Sequence, residues 1–167
     1  MSLQNEWQAK DAFVRARSIP YRIPLSFDEP NQSCVGKHQQ FKDEIETLGY
    51  QTRWVEVAFR WSDLPIPKEI LVIPHDDETT HAYLEILIDG NWLVVDLTWD
   101  EGLVFVLPVN EWTDFGNMKI AVPVIRRIPE EQMWIHRERS TEEEREEFQR
   151  NKDFFAAVNE WLEIIRK

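Results

Sequence analysis

The chain has 167 residues, 43% of them hydrophobic with eight Trp and nine Phe, and a net charge of −12. That length and aromatic content suit one domain, residues 1–167, with a real core, and exclude a disordered chain. The charge argues against nucleic acid or an anionic membrane as a partner, because both would repel it. Cys34 is the only cysteine, which excludes an intrachain disulfide and a multi-cysteine zinc site. No apolar run approaches the ~20 residues that span a bilayer, and the first residues lack a signal-peptide pattern, so the expectation is cytoplasmic.

Residues 5–17 read as a helix with Trp7 and Val14 one heptad apart, ended by Ile19-Pro20-Tyr21 because the residue before proline is pushed out of helical geometry. A proline-bearing loop over 24–32 follows. A second helix starts at Ser33 or Cys34 and runs to Leu48, with Cys34, Phe41, Ile45 and Leu48 on one stripe, Ser33 as its N-cap and Gly49 as its stop. Residues 51–61 alternate with period two and read as a strand. After a Pro65/Pro67 loop come the apolar segment 70–73 and the acidic loop His75-Asp76-Asp77-Glu78.

Strands over 81–88 and 91–98 are joined by Asp89-Gly90, a dipeptide suited to a two-residue hairpin turn. In that register facing residue numbers sum to 179, so Tyr83 faces Asp96. His81 and Asp96 then share a face as diagonal neighbours, roughly 7–8 Å apart at the backbone. A slip of one residue would put Asp96 on the other face. Segments 103–107 and 120–124 read as short strands, while 129–136 is ambiguous. An amphipathic helix over about 140–166 is announced by a capping box from Ser140 to Glu143, with Phe148, Phe155, Val158, Leu162 and Ile165 as its stripe.

A lone cysteine is most often a small buried hydrophobe. In the first turn of a helix, however, the amide dipoles favour its thiolate. A histidine and an aspartate on adjacent strands would complete a nucleophilic set. The imidazole takes and returns the thiol proton, and the carboxylate fixes its tautomer and stabilises the imidazolium. His75 and His81 with the acidic residues between them could instead hold a metal, but a polar loop is the better reading.

The ordered motifs Cys34-Val35-Gly36-Lys37, Leu48-Gly49-Tyr50, His81-Ala82-Tyr83 and Gly90-Asn91-Trp92 through Asp96-Leu97-Thr98 resemble the transglutaminase-like superfamily over about residues 5–105. The resemblance implies an α+β, papain-like core in which the nucleophile helix packs on an antiparallel sheet, with Cys34 as nucleophile, His81 as base and Asp96 as orienting acid. It implies no metal and no cofactor, and a peptide or protein substrate. Family members often have glycine where this chain has Gln32. Gln32 and Tyr21 are the candidates for a side-chain oxyanion donor, and Trp99 for the substrate groove. A cysteine peptidase or amidase leads. The alternatives are a protein transglutaminase with an amine acceptor, a non-catalytic binding module that keeps the fold, and a redox-sensing cysteine.

Overall fold

The computed structural model describes residues 3–136 and 141–167. Its elements are α1 (Leu3–Ser18), α2 (Cys34–Thr47), β1 (Thr52–Arg60), α3 (Lys68–Leu71), β2 (Glu78–Ile88), β3 (Asn91–Val95), β4 (Arg126–Arg127) and α4 (Thr141–Ile165). The fold is α+β. Its sheet is antiparallel in the order β3-β2-β1-β4. The capping box read at Ser140 begins outside the described residues.

Successive strand residues point to opposite faces, and here both faces are covered. Leu84 and Ile86 pack with Phe13, Phe41 and Ile45 from α1 and α2. Val55, Val57, Phe59 and Tyr83 pack with Phe154, Val158 and Leu162 from α4. That is why β1 is buried without interruption from Val55 to Phe59 although its sequence alternates.

The β2–β3 hairpin has the register its turn dictates. Ile88 pairs with Asn91 and Leu84 with Val95. Asp89 and Gly90 both have positive φ (48° and 81°), the two-residue turn whose twist matches the strands. β3 stops at Val95 while β2 runs on to Glu78 at its other end, so Asp96 leaves the sheet where β2 still presents His81.

Four local readings differ from the structure. Residues 103–107 form a helical turn, not a strand: Leu107 N–H bonds to Leu103 C=O, and Leu103 and Leu107 are buried while Val104 and Phe105 are exposed. Residues 120–124 are irregular because the N–H and C=O of Ala121 are taken by the side chains of Asp96 and Trp99. In α1 the buried apolar residues are Phe13 and three alanines, Ala9, Ala12 and Ala16, which are small enough for α2 to lie close, whereas Trp7 is exposed. In α4 the most buried aromatic is Phe154, not Phe155, and Trp161 joins it. Burying a side chain of that size contributes about 1.5–3 kcal/mol.

Candidate active site

The site begins with a loop fixed by its own side chains. Asn31 Oδ1 accepts from the Ser33 N–H (3.0 Å) and the Ser33 hydroxyl (2.6 Å). The Gln32 C=O accepts from the Arg22 N–H at 3.2 Å, an isolated antiparallel bridge. Gly36 permits this path: a Cβ there would sit 1.7 Å from the Asn31 carbonyl oxygen. Ser33 is the N-cap residue of α2, but its hydroxyl is turned to Asn31 and does not cap. The first helical bond is Lys37 N–H to Ser33 C=O, so the N–H groups of Cys34, Val35 and Gly36 have no acceptor among the described residues. Cys34, half-buried, is the first residue of α2.

His81 and Asp96 meet beyond the end of the hairpin ladder. His81 Nε2 lies 2.7 Å from Asp96 Oδ2, and both side chains are buried. The Cys34 side chain lies close enough to the same imidazole to influence its protonation. Burial alone would lower the His81 pKa, but Asp96 and Cys34 outweigh it and raise it. Burial likewise works to raise Asp96, and the His81 charge and hydrogen bond, with His38 and Thr98, hold it well below the usual carboxylate range. The remaining lone pairs of Asp96 are filled by the Ala121 N–H (2.7 Å), the Thr98 hydroxyl (2.7 Å) and the Thr98 N–H (3.2 Å). Asn110 Nδ2 donates to the Asp96 carbonyl at 2.7 Å. A carboxylate so surrounded has one orientation.

Two further α2 residues belong to the site. His38 is fully buried, with Nδ1 2.7 Å from the Cys34 carbonyl oxygen and Nε2 3.1 Å from the Leu97 nitrogen. Lys37, 1% exposed, donates to the Arg17 carbonyl (2.9 Å) and the Thr98 carbonyl (2.7 Å). Burial lowers the Lys37 pKa to about 7, against the raising effect of Asp100 and Asp96. The sequence pattern singles out neither Lys37 nor His38 for burial. The usable signal for His38 was its position one turn after Cys34, on the same face. No sequence signal marks Ala121, which reaches Asp96 only through the fold.

Tyr21 is buried near Cys34. Its N–H donates to Asp100 Oδ2 (2.9 Å), its carbonyl accepts from Arg166 (3.0 Å), and its ring meets Trp99 edge-on at 4.7 Å. Burial first, then nearby Cys34 and Asp96, raise the phenol pKa, so its O–H stays available as a donor. Gln32 is half-buried, and its side-chain amide bonds to no described residue. Trp99 is a core residue, 4% exposed, with its indole N–H on the Ala121 carbonyl at 2.8 Å; it stands behind Tyr21 and not on a groove wall. His75 stacks on Phe154 at 3.8 Å with Nδ1 2.7 Å from the Ile73 carbonyl oxygen, while Asp76 is held by Asn151 and Asp77 by Ser62. These acidic-loop residues are engaged in structure.

A cleft of about 1260 Å³ reaches Ser33 and Thr80, the chain neighbours of Cys34 and His81. Among the described residues its walls carry Glu56, Glu78, Glu131 and Glu146, against the basic residue Arg150. Arg150 is itself turned to Asp76 at 3.3 Å.

Among known proteins, no family model matches the chain, and no curated protein does. No described helix is long and apolar enough to cross a membrane.

Proposed function

We propose that this chain is a thiol-dependent acyl-transfer enzyme with a transglutaminase-like, papain-like core, working on peptide or side-chain amides as a cysteine peptidase or amidase. The observation that carries this reading is the 2.7 Å His81–Asp96 pair, with the Cys34 side chain close to the same imidazole. Asp96 on Nε2 leaves Nδ1 for the thiol proton. The Cys34 sulfur attacks the amide carbon, a C–S bond forms, and His81 returns the proton to the departing amine as the C–N bond breaks. Water then attacks the thioester with His81 as base, releasing the acid and restoring the thiol. The unpaired Cys34 N–H offers one donor to the tetrahedral oxyanion, and the Tyr21 hydroxyl or the Gln32 amide offers the second.

An unbiased peptide library, incubated with and without a primary amine, tests the reading. Cleavage that needs Cys34 and His81 supports the hydrolase. Amine incorporation identifies a transglutaminase instead. Neither product from the folded wild type, at a thiol that alkylates like free cysteine, rejects an enzyme and leaves a binding module.

A further inference from the structure

We infer that His38 is a positioning residue for the proposed acyl transfer: as a neutral imidazole it ties the carbonyl of Cys34 to the backbone of Leu97, and so sets the spacing between nucleophile and orienting acid. The inference rests on the reading of Cys34, His81 and Asp96 as a triad.

Its two hydrogen bonds fix the state of the ring. The Cys34 carbonyl, 2.7 Å from Nδ1, can only accept, so Nδ1 carries the proton. The Leu97 N–H, 3.1 Å from Nε2, can only donate, so Nε2 is bare. A charged ring would put a second N–H against that of Leu97. Asp96 does not compete, because its Oδ1 is 3.7 Å from Nε2, beyond a hydrogen bond, and is held by Thr98. Burial lowers the His38 pKa to about 4, with Asp96 and the Cys34 carbonyl opposing.

The two backbones that His38 joins both lie at or past the end of a regular element. Cys34 is in the first turn of α2, where helices fray. Leu97 lies past the last ladder pair, Leu84 with Val95. Lys37 makes a neighbouring tie to Thr98, but it leaves the Cys34 backbone untouched. Among the described residues it is His38 that bonds the nucleophile's own carbonyl to the segment that carries Asp96. An error of 1 Å in such a spacing is enough to cost about a hundredfold in rate.

The test compares Cys34 alkylation by iodoacetamide at pH 6 in the wild type, His38→Asn, His38→Gln and His38→Phe, each with and without His81→Ala. Asn keeps a donor near the Nδ1 position and Gln an acceptor near the Nε2 position, while Phe keeps only the bulk. The expected result is a tenfold or greater loss in His38→Phe, smaller losses in Asn and Gln, and no effect of any of them once His81 is Ala. An unchanged rate in His38→Phe overturns the inference alone, and so does the same fold loss in both backgrounds, which marks general loosening. A wild type no faster than His81→Ala overturns the triad reading and this inference with it. Should the variants fail to fold, ¹⁵N spectra of the wild-type imidazoles decide. The Nδ1–H neutral tautomer of His38 between pH 5.5 and 8 is expected, and an Nε2–H or charged ring contradicts it.

Discussion

The β2–β3 hairpin carries two buried carboxylates near its open end, Glu85 in the ladder opposite Val94 and Asp96 just past the last pair, and they are built differently. Glu85 meets Arg53 Nε at 2.7 Å and both terminal nitrogens of Arg127 at 3.3 and 3.5 Å, guanidiniums that reach in from the surface. Asp96 meets an imidazole, two backbone N–H groups and a hydroxyl, all enclosed. A guanidinium never gives up its proton, so the first arrangement can only hold strands together. An imidazole does exchange protons, and with a thiol close by it can pass one on. The identity of the cation, more than the burial of the acid, separates a structural pair from one that can do chemistry.

The contrast can be broken by experiment at several points. Asp96→Asn keeps the shape but removes the charge that sets the His81 tautomer, and turnover of a cleavable peptide should fall by about 10³–10⁴. A loss under tenfold would return Asp96 to the structural class. Gly36→Ala drives a Cβ into the Asn31 carbonyl, so chemical denaturation should show a loss of about 3 kcal/mol or more, the scale of severe strain. Unchanged stability there would contradict the close approach that seats Cys34. Lys37 is a buried cation with no guanidinium geometry to protect it. Its folded pKa of about 7 lies below the ordinary 10.5, so the unfolded state binds more protons between these values. Stability therefore rises with pH across that window, by up to about 1.4 kcal/mol per unit. Lys37→Met removes this slope, and the denaturation gap should move in favour of the wild type between pH 7 and pH 10. Glu85→Gln is the smallest change. It should cost about 1 kcal/mol and leave turnover within twofold, since its partners are half in water.

Legibility in the sequence followed the range of the interaction. The hairpin was readable because Asp89-Gly90 fixes the turn and the turn fixes the register, which brings His81 and Asp96 together. The start of α2 at Cys34 was readable from the apolar stripe and its stop at Gly49. The stripe itself was incomplete, since Lys37 and His38 are buried because tertiary carbonyls and an N–H receive them, which no hydropathy pattern records. Residues 103–107 misled because an apolar run of five fits a strand or a helical turn, and only the burial of Leu103 and Leu107 separates the two. Trp99 reads most simply as core, and its burial agrees with that over the groove alternative. Its closeness in sequence to Asp96 suggested the groove, but its indole N–H finds the Ala121 carbonyl and draws the ring inward.

The most direct measurement is the pH profile of iodoacetamide alkylation at the single cysteine, read by intact mass in the wild type and in His81→Ala. The account predicts that Cys34 reacts at pH 6 at least tenfold faster than a free thiol and that His81→Ala abolishes this advantage. A wild-type profile matching free cysteine, unchanged by His81→Ala, would contradict it.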